Sequence, residues 1–161
     1  MSTSPITIIQ LTPAEWELYK ALRLETLREE PQAFNSKLEE VSAYPDLYWQ
    51  EALADPNDIY AFAKCNAHIV GVMKLSLREK GEAENVAVIH GAYVSRDYRG
   101  LGIGKSLLSF LINSVKKNNG INVLKLWVKE SQTSARHLYE KEGFKFVERA
   151  GEHTLILEKR L

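Results

Sequence analysis

Hydrophobic positions change their spacing several times along this chain, and each change marks a boundary between elements. Ile6 to Gln10 is a short apolar run that predicts a strand. Thr12-Pro13-Ala14-Glu15 then has the marks of a helix start: a hydroxyl at the cap, proline at the first helical position and glutamate three residues after the cap. Trp16, Tyr19, Leu22, Arg23 and Leu27 recur at helical spacing until Pro31 closes the segment. Asn35 to Val41 and Asp46 to Ala54 predict two shorter helices, the second capped by Asp46. Ile59 to Cys65 and His68 to Leu77 read as strands joined at Asn66-Ala67, and Arg78 to Glu84 as a charged loop. Val86 to Val94 alternates as the third strand of this meander, which puts Val86, Val88, His90, Ala92 and Val94 on one face unless a bulge intervenes.

A second set of elements follows. Leu107 to Val115 is apolar at a helical period, and that helix runs to about Lys117, where Asn118-Asn119-Gly120 stops it. Val123 to Val128 reads as a buried strand, and a helix through Tyr139 is ended by Gly143. Phe144 to Arg149 and His153 to Lys159 are two more strands that turn at Ala150-Gly151-Glu152. The order predicts an α/β protein with a mixed, mostly antiparallel sheet of about seven strands and helices on both faces. With 161 residues and no linker or internal repeat, the chain reads as a single domain, residues 1–161.

Composition narrows the partners. The chain has 21 basic and 21 acidic residues, a balance with no general attraction for nucleic acid or acidic membranes. No apolar run has the length of a membrane span, and Met1-Ser2-Thr3-Ser4-Pro5 lacks the layout of a signal peptide. The single cysteine, Cys65, sits in a strand as a small apolar residue, and its lack of a disulfide partner predicts a cytoplasmic setting. No pattern of metal ligands is present.

The chemistry is concentrated in Tyr98-Arg99-Gly100-Leu101-Gly102-Ile103-Gly104-Lys105-Ser106, between the third meander strand and a helix. Glycines at every second position free φ and let the backbone approach a ligand. The helix start behind them offers unpaired N–H groups and the positive end of its dipole, a site for phosphate. A Walker A loop would need glycine at Arg99, and a dinucleotide fingerprint would need it at Lys105 or Leu107, so both fail. Arg-x-x-Gly-x-Gly remains. A second segment, Ala135-Arg136-His137-Leu138-Tyr139-Glu140-Lys141-Glu142-Gly143-Phe144, lies downstream of the next strand. Together, in this order, the two segments resemble the pyrophosphate loop and second motif of the GNAT superfamily of acyl-CoA-dependent N-acyltransferases. The likeness is specific from about Val86 to Phe144.

The resemblance implies the GNAT fold and acetyl-CoA as cosubstrate, with no metal. The amides of Gly100, Leu101, Gly102, Ile103 and Gly104 would take the pyrophosphate, with Lys105 and Ser106 adding charge and a hydroxyl. Arg99 would either add a charge-assisted hydrogen bond or pack on Tyr98. Ala92, Tyr93 and Val94 would bond the pantetheine through their backbone edges, and the Val94 amide would polarise the thioester carbonyl. Gln132 stands where the family has asparagine, and with Ser134 and Ala135 it completes the cofactor set. Tyr139 falls seven residues beyond Gln132 on the same helix face. It would protonate the departing thiolate, or serve only as an aromatic anchor. His90 occupies the place of a general base, with Glu84 in reserve, although a strand histidine is also an ordinary structural hydrogen-bonder. His68, His137 and His153 read as surface or turn residues.

The implied reaction moves an acetyl group from acetyl-CoA to a primary amine by direct attack in a ternary complex. The amine belongs to a small molecule or a peptide. Phe34 would wall the acceptor site and Glu39 would pair with a cationic amine, or both lie on a solvated helix face. The alternative is a non-catalytic acyl-CoA-binding sensor or partner protein, which the Gln132 departure allows. Homodimerisation through a sheet edge is compatible with the fold.

Overall fold

The computed structural model describes residues 4–32, 34, 36–117 and 120–161. Ala33, Asn35 and the stop at Asn118-Asn119 therefore lie outside the described residues, as do Met1–Thr3. The chain forms β1 (Ile6–Ile9), α1 (Trp16–Glu29), α2 (Leu38–Ser42), α3 (Asp46–Ala54), β2 (Asp58–Cys65), β3 (His68–Ser76) and β4 (Val86–Val94). It continues with α4 (Ile103–Val115), β5 (Val123–Lys129), α5 (Thr133–Lys141), β6 (Lys145–Arg149) and β7 (Thr154–Arg160). Seven strands make one sheet in the order β1-β2-β3-β4-β5-β7-β6, antiparallel except at the β4–β5 pair. The mixed sheet expected from the pattern is present.

Two helix starts differ from expectation. The Thr12 hydroxyl donates to Glu15 at 3.0 Å, and the Thr12 N–H donates to the same carboxylate. The hydroxyl therefore gives its proton to the glutamate, and a 3-10 turn over Pro13–Glu15 precedes the α-helix proper. Asp46 is not the cap of α3. Extended Pro45 takes that position, and Asp46 sits in the first turn, where its charge still favours the positive helix end.

The sheet separates two apolar regions. On one face, α4 sets Leu107, Leu108, Leu111 and Val115 against Ala61, Met73, Leu75, Ile89, Leu124, Leu126 and Leu157, and α5 adds Tyr139. Burying each leucine contributes about 1.5–3 kcal/mol, so this face supplies most of the stabilising burial. On the other face, α1 and α3 cover smaller clusters, one around Tyr60, Phe62, Val72 and Tyr93, the other around Leu27, Val41 and Trp49. Strand β5 was expected to be buried, and it is so on one side only. Leu124, Leu126 and Val128 are covered, while Trp127 is exposed beside the Lys125 ammonium, 4.9 Å from its ring centre.

A bulge in β4 breaks the expected alternation. Val72 lies opposite Tyr93 and Lys74 opposite His90, so Gly91 and Ala92 share the place facing Met73. Gly91 takes φ +60°, a left-handed backbone that glycine adopts without steric cost. The extra residue flips the strand. Ala87 and Ile89 before it, and Ala92 and Val94 after it, all pack toward α4. His90 therefore does not share a face with Ala92 and Val94 as alternation predicted.

Candidate functional site

Parallel pairing of β4 with β5 stops early. It runs from Val86↔Val123 to Ile89↔Leu126 and goes no further. Beyond that point His90, Tyr93 and Val94 pair with β3, and Trp127, Val128 and Lys129 pair with β7. The two strands part into a notch that opens at their C-terminal ends. The Ser95 N–H donates to the Val70 carbonyl at 2.8 Å, toward β3. Alternation along an extended strand then turns the N–H and C=O of Val94 and Ala92 the other way, into the notch.

The glycine turn stands at the mouth. Gly100 (φ +78°) and Gly102 (φ +80°) are both left-handed, and Gly102 caps α4. A side chain at either would have room but would strain the backbone. The first amides of α4, from Ile103 to Lys105, have no partner within the helix. Gly104 has a different duty, because a Cβ there would stand 3.0 Å from Leu138; its absence lets α4 and α5 approach closely. Gly71 acts similarly beneath Ile103 and was not singled out from sequence, since its reason is tertiary. The Ser106 hydroxyl donates to the Gly102 carbonyl at 3.1 Å, and the largely exposed Lys105 ammonium lies 3.8 Å from Glu142.

Arg99 is held by protein groups. Its Nε donates to the Val94 carbonyl and its Nη2 to Glu30, both at 2.9 Å. The guanidinium lies 5.6 Å from the Tyr93 ring centre, so the aromatic it packs on is Tyr93 and not the expected Tyr98.

Gln132 begins α5, and its side-chain oxygen accepts the Lys129 N–H at 3.1 Å, tying the helix start to the end of β5. Ser134 is exposed and Ala135 half-buried on the next turn. At the other end of the helix, Phe144 N–H reaches the Tyr139 carbonyl at 2.9 Å and Gly143 N–H reaches Glu140 at 3.1 Å, with Gly143 at φ +95°. This double-bonded C-terminal cap brings the Phe144 and Tyr139 rings to 5.7 Å, which is why tyrosine, glycine and phenylalanine recur at this spacing. Tyr139 is buried, and burial pushes its phenol pKa up to about 12. The hydroxyl stays protonated at neutral pH and is a donor.

His90 looks to the opposite face, where its Nε2 lies 2.8 Å from Glu79. The same face carries Lys74 paired with Asp58 at 3.2 Å and Lys125 paired with Glu82 at 2.8 Å. Sequence reading did not find these carboxylates, because they reach their partners from a loop of no fixed pattern. Glu84 is exposed and faces Arg78 at 3.9 Å. His68 and His137 are exposed, and His153 pairs only with exposed Glu152, at 3.8 Å. Phe34 packs among the α1–α3 aromatics with the Arg23 guanidinium 5.0 Å from its ring centre, and Glu39 is exposed in α2. Cys65 is buried away from the notch, with Ser4 as its neighbour. Among the described residues no cluster could hold a metal ion, and no helix is long and apolar enough to cross a membrane.

Comparison with known proteins gives this architecture a class. Residues 22–144 match the acetyltransferase (GNAT) family, and the chain belongs to that family of acyltransferase enzymes. Among individual proteins, an uncharacterized N-acetyltransferase of Methanocaldococcus jannaschii is 38% identical over 63 residues, 39% of this chain and 27% of that relative. A GNAT acetyltransferase of Streptococcus pneumoniae superposes with TM-score 0.77 at 18% identity, over 98% of this chain and 100% of that one. The PaiA N-acetyltransferase of Thermoplasma acidophilum, solved with coenzyme A, gives 0.76 at 21% identity over 98% and 99%. The ribosomal-protein-S18-alanine N-acetyltransferase of Escherichia coli gives 0.69 at 19% identity over 97% and 94%.

Proposed function

We propose that the chain transfers an acetyl group from acetyl-CoA to a primary amine by direct attack within a ternary complex. The observation that carries this reading is the parting of β4 and β5 beside a left-handed glycine turn that opens a helix. The fit rests on unpaired groups: the first amides of α4 suit a pyrophosphate, and the free backbone edge of Ala92 and Val94 suits the amide-bearing pantetheine arm. The PaiA relative solved with coenzyme A supports the same cosubstrate here.

The residues divide the chemistry between the two faces. The Val94 N–H faces the place where negative charge develops on the thioester oxygen as the amine adds. A primary amine with a pKa of about 10.4 is protonated at neutral pH, and His90 takes its proton, directly or through water. Loss of the C–S bond leaves a thiolate, and Tyr139 supplies the proton that converts it to the thiol. The amine would enter from the His90 side and the cosubstrate from the glycine turn, meeting in the notch. The acceptor is a small-molecule or peptide amine.

A thermal melt with coenzyme A, followed by thiol release from acetyl-CoA over a panel of polyamines, amino acids and alanine-terminated peptides, tests the reading. The expected outcome is a raised melting temperature and release with at least one amine. Protection without release on any amine would favour a binding protein. Saturating coenzyme A that moves neither the melting temperature nor the Gly100–Gly104 amide signals would remove the reading.

A further inference from the structure

The end of α1 grips the chain between β4 and α4 at three successive points. Glu25 accepts the Ser95 hydroxyl at 2.6 Å, and its proximity to the Tyr93 phenol holds that group in its protonated form. Glu29 pairs with Arg96 at 3.0 Å, and Glu30 with Arg99 at 2.9 Å. Two residues beyond Glu30, the Gln32 carbonyl accepts the Lys129 ammonium at the end of β5. Residues 30–32 therefore touch both lips of the notch, through Arg99 on the β4 side and Lys129 on the β5 side.

Arg99 is the hinge of this arrangement. One guanidinium nitrogen holds the carbonyl of Val94, another holds Glu30, and the plane packs on Tyr93. Beyond Ile89, β4 has no neighbour on its notch side to fix its last residues. A planar donor bonding the Val94 carbonyl supplies that constraint, and a strand end held there aims the adjoining N–H.

We propose that Arg99 and Glu30 are positioning residues: they fix the end of β4 so that the Val94 N–H meets the thioester oxygen, and they leave the pyrophosphate to the loop amides. This rests on the acyl-CoA reading above and goes beyond it, because it moves Arg99 from the phosphate to the reacting carbonyl. It also links the acceptor loop to the thioester through one ion pair.

Coenzyme A and acetyl-CoA separate the two roles, since only the second carries the thioester. The full-length protein, labelled with nitrogen-15, is titrated with each ligand as wild type, Arg99→Ala, Arg99→Lys and Glu30→Gln, with affinities from calorimetry. The expected result is a coenzyme A affinity within about twofold of wild type in all three variants, the scale left when no pyrophosphate contact is lost. The part of the Val94 amide shift specific to acetyl-CoA should fall by at least half in Arg99→Ala and Glu30→Gln. Arg99→Lys should restore some of it, because an ammonium still reaches the carbonyl. A tenfold loss of coenzyme A affinity in Arg99→Ala, or a gain in Glu30→Gln as the guanidinium is released, would make Arg99 a phosphate ligand and overturn the proposal. An unchanged Val94 response in every variant overturns it as well. Wild-type protein that binds no coenzyme A takes away the underlying reading, and that failure is visible before any substitution is made. If Arg99→Ala does not fold, Glu30→Gln and Arg99→Lys carry the test.

Discussion

The two faces of the sheet are built from different materials. Against α4 and α5 lies one continuous apolar region, into which Tyr139 brings a phenol. Against α1–α3 the apolar clusters are smaller, and beside them three ion pairs cross the strands: Asp58 with Lys74, Glu79 with His90 and Glu82 with Lys125. The first face supplies rigidity and keeps its hydroxyl protonated. The second keeps charge near the surface, where protons exchange with water. A reaction that needs an acid for one atom and a base for another gains from holding them in such unlike surroundings. The bulge at Gly91 produces this division, because without it His90 would look the same way as Val94.

The largest expected effect lies on the apolar face. Leu111 is fully buried under α4, and Leu111→Ala should lower stability by about 3 kcal/mol, the middle of the range for leucine truncation. For a domain of this size that is roughly a 10 °C fall in melting temperature. A fall under about 3 °C would mean that the apolar face does not dominate stability.

Tyr139→Phe asks whether the phenol does more than fill space. The ring and its contact with Phe144 survive the change, so the melting temperature at neutral pH should hardly move. Turnover on an accepted amine should drop about 100-fold, the lower end for a lost proton donor. Unchanged turnover would leave Tyr139 as an anchor alone. The raised phenol pKa gives a second reading of the same residue. A group whose pKa rises on folding stabilises fully below its unfolded value, about 10, and loses that contribution as pH climbs through its folded value. Wild-type stability should therefore decline between about pH 10 and pH 12, and Tyr139→Phe should decline less over the same interval.

His90→Gln is the matching test on the charged face. It should lower turnover about tenfold near neutral pH and flatten the acid side of the pH–rate profile, where protonation of the base limits the wild type. Stability should change little, since His90 is half-exposed. A profile whose acid side is unaltered would assign the proton to water or another group.

What the sequence revealed and what it concealed follow the same divide. The turn at Gly100 and Gly102 and the cap at Gly143 were legible because a left-handed backbone leaves its mark in residue identity. The helix of Leu107, Leu108, Leu111 and Val115 was legible because one continuous apolar face imposes a period. The charged face left no such mark. Glu79 meets His90 eleven residues away, and Glu30 meets Arg99 sixty-nine residues away, and such pairs have no local spacing to betray them. Gly91 was a missed signal of the readable sort, since a lone glycine inside an alternating strand points to a bulge. Asp46 misled for a local reason: proline before it occupied the cap.

The smallest effect is the most specific to the charged face. Glu82 and Lys125 form an ion pair at 2.8 Å, with side chains 17% and 15% exposed. Removing one partner leaves the other charged and poorly hydrated, whereas removing both removes the desolvation cost along with the attraction. Lys125→Met alone should therefore cost about 1 kcal/mol in chemical denaturation, and the double variant with Glu82→Leu should return to within about 0.5 kcal/mol of wild type. The ammonium also lies against the Trp127 ring, but the methionine retains an apolar contact there, so that loss is partly compensated. A double variant as unstable as the single one would show that the pair is required for the sheet itself. The charged face would then share the structural burden assigned here to α4, and its distinction from the apolar face would narrow to the placement of His90.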